Sequence, residues 1–246
     1  MMRKQSPIGL ISARRISRET GASRTAGIVT VPHDDSDYRH VLPGDAPGGV
    51  YHFLTGVVAP RPIAWVSSVG TDGVLNVAPH SYFQILAHNP PTLGVVSVGE
   101  KDSLRNVRAA GEYVINIACD DLIEQVNLTA ANFPPEEDEF AWAGLTPIPS
   151  HTVAAPAVRE APVSLEMRLT EIKPIGDCFL IIGEVQHIRY AVAIVVDGRI
   201  DPVPLRLVGR MAGSTYARTT DRFNLKRPTY QSLLDANVQP ARPSRD

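Results

Sequence analysis

Residues 61–111 constrain the fold of this chain more than any other stretch, because short apolar runs there alternate with strong turn signals. Two apolar runs, at residues 63–69 and 74–78, flank Thr71-Asp72-Gly73. An Asp-Gly pair between apolar runs predicts a β-hairpin, since a primed turn requires positive φ. After Asn89-Pro90-Pro91, which favours extended or turn backbone, residues 92–98 have the composition of a buried strand. The stretch therefore predicts an antiparallel sheet.

A short helix is predicted directly after that buried strand. Asp102 or Ser103 is suited to cap its N-terminus, and Gly111 is suited to end it. A helix start presents unpaired N–H groups and the positive end of the helix dipole, so with Lys101 and hydroxyl groups beside it this helix can bind a phosphate. The same local pattern also fits an ordinary capped surface helix with a solvated lysine.

The rest of the chain is also dominated by strand patterns. Strands are predicted at residues 113–117, 163–173, 179–189, 191–196 and 205–211, and helical spacing is confined to a few short segments such as 120–131. The regular alternation of helix and strand that a parallel sheet requires is absent from the sequence. These patterns predict an all-β fold with helical decoration, in the form of a barrel.

The length of 246 residues fits one domain with tails. We predict a flexible N-terminal extension at residues 1–45, a folded domain at 46–227 and a C-terminal tail at 228–246. Through residue 30 the extension carries a single acidic residue and the basic residues Arg3, Lys4, Arg14, Arg15, Arg18 and Arg24. That composition fits a transit peptide, a disordered extension or an upstream start codon chosen in error. It does not fit a secretory leader, which needs an apolar core of roughly 7–15 residues.

Several classes of function find no support in the sequence. The net charge of -2 argues against nucleic-acid binding, and no apolar run approaches the ~20 residues of a membrane span. Cys119 and Cys178 lie in apolar runs without CxxC spacing, as buried thiols do. The histidines lack metal-ligand spacing. His80 and Ser81 are adjacent on a predicted strand, so they point to opposite faces and form no catalytic dyad. Neither a phosphate-binding P-loop nor a Rossmann glycine motif occurs.

An ordered set of motifs resembles a known family. The motifs are RPIAWVSSVGTDGVLNVAPHSYFQ, NPPTLGVVSV, KDSLRNV, GEYVINI, NLTAA, DEFAWAGL, APVSLEMRL, IIGEV, DGRIDP and RMAGSTYAR, which run in this order between residues 51 and 218. They resemble the flavin reductase-like, FMN-binding split-barrel family. The resemblance implies an antiparallel Greek-key split β-barrel, a homodimer and FMN as the cofactor.

The resemblance also implies a set of cofactor-binding residues. Small side chains and hydroxyl groups near the flavin allow the main chain to approach a flat ring and to hydrogen-bond its polar edge. Within the set, Ser97, Lys101 and Ser103 match the phosphate contacts. Arg210 matches a position near the phosphate or the dimer seam, or is a structural strand end. The full set is Ser67, Ser68, Ala78, Pro79, Ser81, Tyr82, Phe83, Ser97, Lys101, Ser103 and Arg210.

The function implied is that of an oxidoreductase in which the cofactor carries the chemistry. We expect NAD(P)H, as a transient electron donor, to reduce flavin by hydride transfer to N5, with no catalytic side chain and no metal. A monooxygenase partner and a cytoplasmic location are further expectations. An FMN-binding electron carrier and a non-catalytic flavin-binding module are the alternatives, and the preferred nicotinamide and the physiological acceptor stay open.

Overall fold

The structure is a computed structural model that describes Ser36 and residues 38–236. Its contacts divide the chain into two compact units, Met1–Leu42 and Pro43–Asp246. In the first unit, Tyr38, Val41 and Leu42 are exposed. Most of the predicted N-terminal extension and the end of the predicted C-terminal tail lie outside the described residues. Among the described residues, no helix has the length and apolar character needed to cross a bilayer.

The described part of the chain contains thirteen strands, six α-helices and three short 3-10 helices, the last at Pro43–Asp45, Asp120–Leu122 and Val192–Ile194. The strands are β1 (Ala64–Val69), β2 (Leu75–His80), β3 (Phe83–His88), β4 (Pro91–Val98), β5 (Glu112–Ile117), β6 (Pro147–Ile148), β7 (Ala157–Val158), β8 (Val163–Ile175), β9 (Cys178–Tyr190), β10 (Val195–Val196), β11 (Arg199–Ile200), β12 (Val208–Arg210) and β13 (Tyr216–Arg218). The helices are α1 (Val50–Val57), α2 (Asp102–Ala110), α3 (Ile123–Leu128), α4 (Glu139–Ala143), α5 (Pro202–Leu205) and α6 (Tyr230–Asp235).

One seven-stranded sheet dominates the second unit, in the order β2-β1-β5-β8-β9-β4-β3 with every pair antiparallel. Its two outer strands, β2 and β3, are joined by Ser81 and Tyr82 alone. A sheet whose two outer strands are joined by only two residues must curl until the ends of those strands lie close together. The edges do not pair with each other, so the barrel is split there. The predicted all-β split barrel with helical decoration is confirmed.

Both faces of β1 are buried, and this fixes the layers of the core. Alternate strand residues point to opposite sides, so Trp65 packs into one apolar cluster with Phe140 while Val66 packs into another with Leu104 and Met167. Trp65 is fully buried, and its indole N–H donates to Thr129 Oγ1 at 2.9 Å. The barrel wall is therefore sealed on one side by the loop and short helices that follow β5.

The structure differs from the sequence-based prediction at two places around β2 and β3. The first hairpin exists, but residues 70–74 separate its strands and only Gly73 among them has positive φ, at 86°. The prediction of a primed turn is therefore wrong, and Asp72 Oδ1 instead accepts from the N–H of Val74 at 3.1 Å. Strand β3 was not predicted. It pairs only with β4, and its side chains are mostly exposed, so it carries no alternating apolar pattern.

Candidate functional site

A cleft of about 480 Å³ lies at the split of the barrel. Its walls are the end of β2, the Ser81-Tyr82 connection, β4, the start of α2 and the loop that follows α3. The volume falls within the range of small-molecule and cofactor sites. Six of the residues that sequence analysis assigned to the cofactor line this cleft: Ala78, Pro79, Ser81, Tyr82, Lys101 and Ser103.

The start of α2 forms one end of the cleft. Lys101 occupies the N-cap position in extended conformation, and its side chain makes no capping bond. The prediction that Asp102 or Ser103 caps the helix is therefore wrong, since both lie in its first turn. Lys101 Nζ donates to Asn132 Oδ1 at 2.8 Å, and both residues line the cleft. This hydrogen bond holds the ammonium group at the wall of the cleft. The first-turn N–H groups lack intrahelical partners and, next to this cation, suit an anion. Gly111 ends the helix in the left-handed conformation, as predicted.

A chain of buried hydrogen bonds runs behind this helix start. Ser103 Oγ donates to Asn76 Oδ1 at 3.0 Å, and Ser68 Oγ donates to the same oxygen at 3.4 Å. Asn76 Nδ2 in turn donates to Glu139 Oε1 at 2.7 Å. Glu139 is 5% exposed, and its Oε2 has no hydrogen-bond partner among the described residues. Burial raises the pKa of the Glu139 carboxyl, against the opposing effect of hydrogen bonds from the main chain of Glu139 and Val77 and from the Asn76 side chain.

His80 stands in the middle of the cleft wall, at the end of β2. Its Nδ1 lies 3.4 Å from the carbonyl oxygen of Val96 across the split. Because a carbonyl only accepts, this contact places the proton on Nδ1 and leaves a lone pair on Nε2. Nε2 is buried without a partner among the described residues. Burial lowers the pKa of His80 to about 4, so the ring is neutral at pH 7.

Two predicted hydroxyl groups do not reach the cleft. Ser67 is fully buried, donates to the carbonyl of Pro156 at 2.6 Å and accepts from Asn116 Nδ2 at 3.0 Å. Ser97 is also fully buried, and its hydroxyl donates to the carbonyl of Gly99 at 2.9 Å. Ser68 reaches the cleft only through Asn76, as described above. In each case the strand turns the side chain toward an interior partner.

Two further predicted residues lie beside the cleft. Phe83 packs against the apolar cluster of Val66 and Leu104 and lines a neighbouring apolar groove. Arg210 lines a smaller cavity of about 220 Å³ that shares Pro79, Ser81 and Tyr82 with the cleft. Its guanidinium lies 4.5 Å from the ring centre of Tyr216 and donates to the carbonyl of Gly213. This position is next to the cleft and separate from the start of α2.

The comparisons with known proteins agree with this architecture. Residues 58–196, more than half of the chain, match the model of the flavin reductase like domain. The chain belongs to the flavin reductase-like family. An uncharacterised protein of Halalkalibacterium halodurans is 38% identical over 191 residues, which are 73% of this chain and 91% of that protein.

Two solved structures superpose on most of the chain. The crystal structure of nitrilotriacetate monooxygenase component B from Bacillus cereus has a TM-score of 0.69 and 35% identity, over 81% of this chain and 100% of that one. That of 2-nitrobenzoate 2-nitroreductase NbaA from Pseudomonas fluorescens has a TM-score of 0.72 and 28% identity, over 78% and 98% of the two chains.

Besides His80, three residues at or beside the cleft were not assigned to the cofactor from the sequence. Asn76 and Glu139 form the buried hydrogen-bond chain, and Arg61 is 8% exposed with its guanidinium donating to three main-chain carbonyls. The sequence held one usable signal for each. Asn76 occupies an interior-facing position of an apolar strand, and Arg61 stands between two prolines at a strand start. Glu139 precedes Phe140, which anchors its loop to the core.

Proposed function

We propose that this chain is an FMN-dependent oxidoreductase that uses NAD(P)H to reduce flavin. The observation that carries the proposal is the start of α2, where Lys101 and unpaired helix N–H groups form one end of a cofactor-sized cleft. In a flavin reductase-like domain, that end fits the phosphate of FMN. The remainder of the cleft is then available to the ring system.

The residues of the cleft fit FMN by their chemistry. Ala78 and Pro79 are small or flat, so the main chain of β2 can approach a planar ring closely. The unpartnered Nε2 of His80 accepts a hydrogen bond, which suits an N–H donor on the edge of a flavin. Ser81 adds a hydroxyl group that both donates and accepts. A buried acceptor without a protein partner is costly, and a ligand that donates to it removes that cost.

The protein's part in the reaction is binding, orientation and control of charge. Bound FMN supplies a redox centre that accepts a hydride and passes electrons on. Lys101 and the α2 N–H groups would hold the phosphate, and His80 stays neutral at pH 7, so it would add no positive charge to the cleft wall. We assign no side chain as proton donor or acceptor in the rate-setting step.

The nicotinamide donor and a monooxygenase partner belong to the same proposal. One solved relative, at 35% identity, carries the name of a monooxygenase component, and another, at 28%, that of a nitroreductase. Both names denote redox enzymes, which supports a catalytic role for this chain. We therefore propose transient docking of NAD(P)H at the cleft and delivery of electrons from flavin to an acceptor.

Anaerobic mixing tests this proposal directly. NADH or NADPH added to the FMN-loaded protein without oxygen is expected to bleach the visible absorbance of the flavin. Steady-state oxidation of NAD(P)H with added free FMN then separates a reductase that exchanges flavin from one that retains it. Bleaching by a reduced protein donor but by neither nicotinamide would instead establish an electron carrier. Failure to bind FMN at all would remove the proposal.

A further inference from the structure

The smaller cavity beside the cleft, of about 220 Å³, lies apart from the start of α2. We call it the arginine pocket, because Arg61 and Arg210 both line it. Its walls come from α1, the end of β2, α3 and the turn after β12, and it shares Pro79, Ser81 and Tyr82 with the cleft. Its volume is below the range for a whole small-molecule ligand. The pocket can therefore hold one end of a ligand that lies mainly in the cleft.

The two arginines of the pocket are placed directly opposite each other. Arg61 and Arg210 form an antiparallel bridge in which the main-chain N–H of each residue donates to the carbonyl of the other, at 2.9 and 2.8 Å. Side chains of such a pair lie on the same face of the two strands, and here both line the same pocket. Like charges directly opposite each other are destabilising. An anion bound in the pocket would offset this repulsion.

The positive charge of the arginine pocket is not balanced by the protein. Among the residues that the structure describes, no acidic side chain lines the pocket, and neither arginine forms an ion pair. Arg61 donates to three main-chain carbonyls, which satisfy its hydrogen bonds but carry no net charge. The pocket is therefore suited to an anionic group.

Arg210 has donors available for such a group. A guanidinium carries five N–H groups, and within the described part of the chain that of Arg210 donates only to the carbonyl of Gly213, at 2.5 Å. The same group lies 4.5 Å from the ring centre of Tyr216, the cross-strand neighbour of Arg210 in β13. This contact restrains the guanidinium, whose planar fork matches two oxygens of a phosphate.

We propose that the arginine pocket binds the 2′-phosphate of NADPH, so that the chain uses NADPH in preference to NADH. This inference rests on the proposed function, because it takes the FMN phosphate to lie at the start of α2 and the nicotinamide to dock at the cleft. With the α2 end occupied by that phosphate, the adenosine part of the nicotinamide cofactor extends away from α2. The arginine pocket adjoins the cleft on that side.

The chemistry of the pocket discriminates between the two nicotinamide cofactors. NADPH and NADH carry the same hydride donor and differ only in the 2′-phosphate. Dinucleotide sites that take NAD commonly hold the ribose 2′-hydroxyl with an acidic residue, whereas an arginine accommodates the 2′-phosphate of NADP. The arginine pocket has two arginines and, among its described lining residues, no acid. NADH would therefore leave the opposed guanidinium groups without a counter-charge.

Steady-state kinetics of the FMN-loaded protein test the proposal. We expect the wild-type kcat/KM for NADPH to exceed that for NADH at least about tenfold. Arg210→Gln removes the charge and the fork, so the ratio of the two kcat/KM values should fall about ten- to a hundredfold. Arg199→Gln is the matched control, since Arg199 is exposed on β11 and lines neither the cleft nor the arginine pocket. It should leave the ratio unchanged.

A binding measurement without turnover gives a second readout. Adenosine 2′,5′-bisphosphate carries the 2′-phosphate and ADP does not, so the wild-type protein should bind the former at least about tenfold more tightly in calorimetric titrations. That difference should disappear in Arg210→Gln. Arg210→Lys keeps the charge but loses the fork, so its effect should be smaller than that of Arg210→Gln.

Three results would overturn the inference. The first is equal binding of adenosine 2′,5′-bisphosphate and ADP by the wild-type protein, which decides the matter even if Arg210→Gln does not fold. The second is an unchanged NADPH to NADH ratio in a folded Arg210→Gln protein. The third is a loss of FMN affinity in that variant in place of a change in the ratio, which would assign Arg210 to the flavin. If neither nicotinamide cofactor reduces the bound flavin, the proposed function itself fails.

Discussion

At the scale of single residues, the buried side chain of Arg61 links several segments beside the cleft. Arg61 has no ion-pair partner within residues 38–236, yet it is almost fully buried. Its charge is satisfied by the carbonyls of Thr55 and Val58 and by that of Met211, at 2.7–3.0 Å. Its Nε also lies 3.4 Å from Ser81 Oγ. A buried cation persists only when it is fully hydrogen-bonded, so this one side chain joins α1 and the β12 segment to the split of the barrel.

Lys101 is expected to contribute to FMN affinity through the phosphate alone. A charge-assisted hydrogen bond contributes about 1.5–3 kcal/mol, so Lys101→Ala should weaken FMN binding roughly ten- to a hundredfold. Riboflavin lacks the phosphate and should be little affected. Fluorescence titration of both ligands measures this, with Lys173→Ala on the exposed part of β8 as the control. Equal losses for FMN and riboflavin would remove Lys101 from the phosphate site.

His80 should make the folded state less stable in acid. Its pKa is about 4 when folded and 6.5 in the reference state, so the unfolded chain binds the additional proton as pH falls. The free energy of unfolding should therefore fall between pH 6.5 and 4, by up to about 3 kcal/mol relative to a variant without this group. His80→Asn keeps a donor for the Val96 carbonyl and serves as that variant. Urea titrations at several pH values that give parallel curves for the two proteins would contradict this.

At the scale of elements, α2 positions one end of the cleft because one face of this helix packs into the core. Leu104 and Val107 are fully buried and pack with Val66, Ile115 and Met167 of β1, β5 and β8. The opposite face, which carries Arg105 and Arg108, is exposed and holds ion pairs. An amphipathic helix anchored in this way presents its first turn at a fixed place. The α2 end of the cleft is therefore supported by core packing.

Leu104→Ala tests this support. Removal of a fully buried leucine side chain leaves a cavity and should lower the free energy of unfolding by about 2–5 kcal/mol. Because the helix start is held by the same contacts, FMN affinity should fall as well. Leu104→Met conserves volume and should cost less than about 1.5 kcal/mol. Denaturant unfolding and flavin titration measure the two effects. A loss of stability without any loss of FMN affinity would show that the buried contacts of α2 do not support the binding site.

At the scale of the whole molecule, the split leaves apolar surface beside the cleft. Two apolar grooves, of about 570 and 500 Å³, share Pro60, Arg61, Pro62 and Phe83. The first also shares Ser81 and Tyr82 with the cleft and includes Leu86, which is 46% exposed on edge strand β3. Exposed apolar grooves next to an edge strand are typical of protein–protein interfaces. We therefore propose that a second copy of the chain covers this face.

Leu86→Glu should weaken this association. A charge introduced into an apolar interface is desolvated without a partner, so a homodimer at micromolar concentration should shift toward monomer. Val192→Glu, at a residue that is 83% exposed away from the grooves, is the matched control. Light scattering measures the change. A wild-type monomer that binds FMN with full affinity would show that the site is complete within one chain.

The sequence by itself determined most of the large sheet and the family of this protein. Alternating apolar runs and turn residues predicted β1, β2, β4, β5, β8 and β9, and the motifs identified the family. The proposed phosphate-binding end of the cleft also follows from local sequence, because Lys101 and the helix after it are consecutive in the chain. Six of the eleven predicted cofactor residues line one cleft for the same reason, since four of them lie between residues 78 and 82 and the other two, Lys101 and Ser103, lie at the start of α2. Local patterns are sufficient where neighbours in the chain are also neighbours in space.

Only the tertiary structure decided which polar groups face the cleft. Both faces of β1 are buried. The alternation of side chains along β1 therefore assigned each residue to a face, but it did not show which face borders the cleft. Ser67 donates its hydroxyl to the carbonyl of Pro156 and does not reach the cleft. Asn76 and Glu139 are 63 residues apart in sequence and meet only because α4 packs against β2. The closure of β2 toward β3, and with it the cleft, likewise depends on strand order across the whole sheet. Such long-range contacts arise from packing of the complete barrel, which no local pattern encodes.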